Sequence, residues 1–143
     1  VESGSGASTS GGVRVKHYYK LMEFAENTKT SLRMSFIVGF PNETEESINK
    51  TIDFCEDAEK GNFGEWVNVS GPKIFTPYPG TEEYGRAVAA GFQVPKSHVE
   101  WGYINRSTEN YLECFPWLQK YSTETLSRLE VYFGKGYSQL IKH

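Results

Sequence analysis

MSFIVGFPNET, residues 34–44, decides how the rest of the chain is read. Met34, Phe36, Ile37, Val38 and Gly39 are apolar or glycine, Gly39-Phe40-Pro41-Asn42 interrupts the run, and Glu43, Glu45 and Glu46 open a new segment. An apolar run closed by Gly and Pro predicts a strand covered on both faces, as in a parallel sheet whose strands alternate with helices. Asn42 with Glu45 three residues on makes a capping-box pattern, Thr44 is an alternative cap, and the carboxylates lie where a helix dipole favours them. Strand, tight turn and capped helix make half of a βα unit, and ligands in such folds meet the loops at the carboxyl ends of strands.

A second unit of the same kind follows. Thr44 to Lys60 places Ile48, Ile52, Cys55 and Glu59 at helical spacing with Gly61 as a stop, so Cys55 is expected in the core. Gly64 to Thr76 predicts a second strand, with a bulge or break at Gly71-Pro72. Thr76-Pro77-Tyr78-Pro79-Gly80-Thr81 predicts a rigid turn, after which Thr81 caps a helix with Glu82 and Glu83 in its first turn and Gly91 at its end. Two successive βα units imply a parallel sheet or barrel with right-handed crossovers.

Outside these units the signals are simpler. Val15 to Thr28 predicts a covering helix with Val15, Tyr18, Tyr19, Met22, Phe24 and Ala25 inward and Lys16, Lys20, Glu23 and Glu26 outward. Phe92 to Trp117 predicts an irregular aromatic tail docked on the core rather than an aromatic cage. A last helix starts near Ser122 and is expected to break at Gly134 and Gly136 before Leu140 and Ile141. His17, His98 and His143 have no partner at ligand spacing and are expected at the surface.

A chain of 143 residues can bury one moderate core, and a net charge of −3 argues against a general nucleic-acid surface. No apolar stretch is long enough for a membrane span, and no signal peptide is visible. Cys55 and Cys114 make no C-x-x-C pattern and specify neither a metal site nor a disulfide framework, in keeping with a cytoplasmic location. Residues 1–12, VESGSGASTSGG, are open to two readings: a Gly/Ser linker, or a strand end followed by backbone N–H groups and hydroxyls around a polar ligand, with Glu2 as a carboxylate for an ammonium or ribose. Asn-x-Ser/Thr sequences at Asn42, Asn49, Asn68 and Asn105 are expected simply from abundant Ser and Thr.

Three motifs in order, Glu2-Ser3-Gly4-Ser5, Phe36-Ile37-Val38-Gly39-Phe40-Pro41-Asn42-Glu43-Thr44 and Thr76-Pro77-Tyr78-Pro79-Gly80-Thr81, resemble the second half of the radical S-adenosylmethionine (SAM) domain. The branch with cobalamin-binding enzymes and methylthiotransferases is the most similar. The resemblance covers residues 1–91 and implies an α/β fold: the last two or three βα units of an incomplete (β/α) barrel, with 92–143 as a mainly helical extension. It implies SAM across the carboxyl ends of the strands, with Glu2, Ser3 and Ser5 at its methionine or ribose portion. Gly39, Pro41 and Glu43 would shape the adenosine side, and Pro77 and Tyr78 would close the next edge. It further implies a [4Fe-4S] cluster, cobalamin as an additional cofactor in that branch, a 5′-deoxyadenosyl radical as the reactive species, and a small-molecule or modified macromolecular substrate.

The family's C-x-x-x-C-x-x-C loop does not occur here, and Ser35 stands where the family often has glycine. The resemblance therefore implies a partner, the N-terminal half of the barrel, and a chain that by itself neither holds the cluster nor cleaves SAM. Two other classes are kept. A barrel hydrolase would use Glu2 and Glu43 as an acid/base pair. A non-catalytic α/β interaction module would bind no SAM.

Overall fold

The computed structural model describes residues 15–60, 64–104 and 111–138. In chain order these form α1 (Val15–Thr28), β1 (Leu32–Val38), α2 (Glu45–Lys60), a 3-10 turn (Gly64–Trp66), β2 (Val67–Ile74), α3 (Glu82–Ala89), α4 (His98–Ile104), the single turn α5 (Tyr111–Cys114), a 3-10 segment (Pro116–Lys120) and α6 (Thr123–Ser138). The fold is mixed α/β: β1 and β2 pair in parallel, joined through α2 as a βαβ unit. The described strands form a two-stranded sheet, not a barrel.

Register explains how the sheet is used. Leu32 pairs with Val67, Met34 with Val69 and Val38 with Ile74, which puts these side chains on one face. Leu32, Met34, Val67 and Val69 pack with Met22 of α1 and Phe54, Cys55 and Ala58 of α2. Val38 and Ile74 join a second cluster with Ile48 and Ile52 of α2, Ala87 of α3 and Leu129 of α6. The other face carries Arg33 opposite Asn68, Ser35 opposite Ser70 and Ile37 opposite Lys73. Ile37 is 55% exposed, so the expectation of a strand covered on both faces is corrected. Alternate residues of a strand point to opposite sides, and the described helices cover the even-numbered side of β1.

The register shifts by one residue between Ser35 and Ile37, opposite Gly71-Pro72, so the interruption in β2 is a bulge. The Gly71-Pro72 peptide is cis and Gly71 has φ 124°. A Cβ on Gly71 would lie 2.8 Å from the Phe36 carbonyl oxygen, which only glycine avoids.

Several other expectations are corrected. Thr44 caps α2, its Oγ1 accepting from Ser47 N at 3.2 Å, because the helix begins at Glu45 and the cap is the last residue before it; Asn42 lies in the preceding turn and makes no capping box. Trp66 belongs to the 3-10 turn, so β2 starts later than Gly64. Tyr18, Met22 and Ala25 of α1 turn to the core, a stripe at i, i+4 and i+7, and the Tyr19 ring, though partly exposed, meets Phe54 edge-on at 5.3 Å; Val15 and Phe24 are exposed, while Glu26 is half-buried. The aromatic stretch contains α4 and α5 rather than being irregular. Helix α6 runs through Gly134 and Gly136, each of which costs about 1 kcal/mol relative to alanine without breaking a helix. Thr81 caps α3 as expected, accepting from Tyr84 N at 3.2 Å. His98 and His17 are exposed. Leu140, Ile141, His143, Gly61 and Asn105 lie outside the described residues.

Phe92, Tyr111, Phe115, Trp117, Leu118, Tyr121 and Leu129 share their cluster with Val38, Ile48, Ile52 and Ala87. Residues before and after Gly91 thus meet in one core. Among the described residues no helix is long and apolar enough to cross a membrane.

Candidate functional site

The turn after β1 lies at the carboxyl end of the sheet, where the βα geometry predicts ligand-facing loops. Gly39 adopts φ 83°, and a Cβ there would meet Leu118 Cδ2 at 3.2 Å. The Glu43 side chain folds back over the turn: Oε2 accepts from Gly39 N at 2.7 Å and from Phe40 N at 3.3 Å, and Oε1 accepts from Ser47 Oγ at 3.0 Å. Glu43 N donates to Phe40 O at 3.0 Å. Only 8% exposed, the carboxylate is committed to holding the loop.

Three side chains from residues 117–121 grip the same turn from outside. Trp117 Nε1 donates to Gly39 O at 2.7 Å, Lys120 Nζ to Pro41 O at 2.8 Å and Tyr121 Oη to Glu43 O at 2.7 Å. Burial, with the nearby Glu43 and Glu45 charges, pushes the Tyr121 phenol well above its usual range. Partial burial lowers the Lys120 ammonium against the opposing pull of Glu43. The Lys120 Nζ also lies 5.0 Å from the centre of the Tyr121 ring.

The second loop joins the first through aromatic contacts. Phe75 N donates to Val38 O at 2.8 Å, prolonging the ladder, and the Phe75 ring stacks on Phe40 with centroids 4.5 Å apart. Beyond it Pro77 is buried, and the exposed Tyr78 stacks on Trp101 with centroids 6.0 Å apart. Trp101 and Trp117 both touch Phe92. Gly39, Pro41 and Glu43 are therefore one unit, while Pro77 and Tyr78 stand on the neighbouring rim. Glu2, Ser3 and Ser5 lie outside the described residues.

The sequence reading missed Trp117, Lys120 and Tyr121. A buried Trp or Tyr needs a partner for its polar tip, and that need was the available signal, but the partner lies far away in sequence. A second missed feature joins α2 to α6. Glu45 accepts from Ser122 and, at 2.7 Å, from Thr125 Oγ1; Arg128 donates to Asn49 Oδ1 at 2.9 Å and to Asp53 Oδ1 at 2.6 Å. The hydrogen bonds from Ser122 and Thr125 hold Glu45 below the usual carboxylate range.

The site supplies shape more than reactive groups. Cys55 is fully buried, and desolvation with the charges of Glu59 and Glu56 raises its thiol to about 12. Among the described residues no three His, Cys, Asp or Glu side chains are placed to hold a metal ion. With Gly39 N, Phe40 N and the Glu43 carboxylate already paired, a ligand on this rim would meet the Phe40 and Phe75 rings and a fixed backbone edge. No family model, curated protein or solved structure matches the chain.

Proposed function

We propose that the chain is the C-terminal wall of a radical SAM barrel and works with an N-terminal half that carries the [4Fe-4S] cluster. The observation that carries this reading is the uncovered sheet face. Parallel strands are ordinarily covered on both sides, and among the described residues helices cover one side while Arg33, Ser35, Ile37, Asn68, Ser70 and Lys73 line the other. In a barrel that second side is the lumen. The three ordered motifs in the sequence support the same reading.

In this reading SAM would be held at the carboxyl ends of the strands. The fixed turn Gly39–Glu43 offers its adenosine a preorganised edge beside the Phe40 ring, and Pro77 and Tyr78 bound the next rim. The sequence resemblance assigns Glu2, Ser3 and Ser5, which lie outside the described residues, to the polar end of the cofactor. The residues fit this positioning role for SAM; the cluster finds no ligand set among the described residues and belongs to the other half. When bound, cluster and SAM would supply radical chemistry by one-electron reductive cleavage of the S–C5′ bond of SAM. The chain's own part is to orient SAM, form the wall and exclude water. The Glu43 carboxylate, with both oxygens occupied, is poorly disposed to serve as a hydrolytic acid or base.

The test is anaerobic reconstitution of the full reading frame that contains this chain with iron and sulfide, followed by dithionite and SAM. Formation of 5′-deoxyadenosine is expected. A cluster-loaded protein that binds no SAM and forms none would overturn the reading and favour the interaction module.

A further inference from the structure

The open sheet face is chemically one-sided. Its six positions pair as Arg33 with Asn68, Ser35 with Ser70 and Ile37 with Lys73, so its only charges are basic. Neither strand contains an acidic residue, although the chain as a whole has 18 acidic and 15 basic residues. The acidic residues of α2 ride on a helix that packs against the opposite face. Arg33 and Lys73 are exposed, and among the described residues neither makes an ion pair or a side-chain hydrogen bond. Lys50 pairs with Glu46 and Arg86 with Glu82 and Glu83, whereas the exposed Lys16, Lys20, Lys29 and Lys96 make no ion pair among the described residues; Arg33 and Lys73 differ from these in sharing one sheet face.

We infer that this face receives an anionic group of the substrate, a phosphate or a carboxylate, bound between Arg33 and Lys73 with Ser35, Asn68 and Ser70 as uncharged hydrogen-bonding neighbours. Arg33 lies four positions before Ile37, the partner of Lys73, a separation of about 13 Å along the strand, which two long side chains reaching inward can close onto one polyanion. An arginine supplies a planar fork for two anion oxygens and a lysine a mobile point charge. Set in a lumen shielded from water, both attractions gain over their value at an open surface. The inference rests on the barrel reading for its enclosure, and the charge pattern itself is independent of it.

The test is calorimetric titration of the full-length protein with pyrophosphate in one arm and citrate in the other, for wild type, Arg33→Gln, Lys73→Gln and the control Lys20→Gln on α1. Each of the first two variants is expected to weaken the preferred anion by about tenfold, the value of one lost charge-assisted hydrogen bond, with the control unchanged. The tighter arm assigns phosphate or carboxylate. Absence of binding in both arms, or equal binding by wild type and both variants, overturns the inference. 5′-Deoxyadenosine formation, measured in parallel without substrate, separates the two proposals: its absence beside anion binding that needs Arg33 and Lys73 sinks the barrel and leaves the anion face.

Discussion

Trp117 donates its indole N–H to the carbonyl of Gly39 at 2.7 Å, joining residues 78 positions apart. Both are buried, so neither group has water as an alternative partner. Replacing Trp117 by Phe keeps an aromatic ring in the cluster with Phe92 and Phe115 but strands the Gly39 carbonyl. A loss of about 1–3 kcal/mol is expected, the cost of an unpaired buried polar group. Urea denaturation of wild type and variant measures it; equal midpoints would show that the bond contributes nothing.

Tyr121 grips the same turn through the Glu43 carbonyl. Tyr121→Phe is expected to cost about 0.5–1.5 kcal/mol as one neutral hydrogen bond. Because both side chains hold one five-residue loop, the double variant Trp117→Phe/Tyr121→Phe should lose less than the sum of the two single losses, with a coupling above about 0.5 kcal/mol. Strict additivity would mean that the turn keeps its shape without the two contacts.

Gly39 and Gly71 test the backbone on either side of the site. Both have positive φ, which disfavours a side chain by about 1–2 kcal/mol. They differ in what a methyl would strike: at Gly39 the far end of Leu118 at 3.2 Å, at Gly71 the rigid Phe36 carbonyl at 2.8 Å. Gly71→Ala is therefore expected to destabilise more than Gly39→Ala, and thermal unfolding gives the order. The reverse order would mean that the bulge yields more easily than the Leu118 contact.

Local chemistry made the strand, turn and helix legible: Gly39-Phe40-Pro41 ends β1, Thr81 caps α3, and Cys55 falls on the inward stripe of α2. The sidedness of β1 was not legible. Phe36 and Ile37 are equally apolar, and only the position of the helices makes one half-buried and the other exposed. Nor was the grip on the turn, since the bonds from Trp117, Lys120 and Tyr121 each cross almost 80 residues, and no periodicity marks a contact between a loop and a distant 3-10 segment.

Cys55 offers a probe of folding from inside the core. Its side chain is inaccessible, and its thiol is raised to about 12, so the reactive thiolate is scarce in the folded protein near neutral pH. Cys114 is half-buried and raised by desolvation and the Glu113 charge. Alkylation at pH 8 should reach Cys114 first, with Cys55 modified only as the chain opens, which peptide mass spectrometry resolves. Faster labelling of Cys55 would show that α2 separates from α1 and the sheet without global unfolding.

The phenols of buried Tyr111 and half-buried Tyr132 are expected to make stability fall at alkaline pH. Tyr111, whose hydroxyl donates to Glu130 Oε1 at 3.1 Å, is pushed up to about 12 by desolvation and by that carboxylate; Tyr132 reaches about 12 through desolvation and the charges of Glu59 and Glu56. An ordinary tyrosine titrates near 10.0. As pH rises from about 10 to 12 the unfolded chain therefore releases protons that the folded chain retains, and the slope of unfolding free energy with pH is negative. This contribution is complete below pH 10 and is lost as the pH passes through 12. Urea midpoints should accordingly fall across that window, and Tyr111→Phe should flatten the fall while costing the bond to Glu130. Phenolate absorbance of the folded protein should rise later than that of the urea-unfolded chain; coincident titrations would show that water reaches these hydroxyls in the native state.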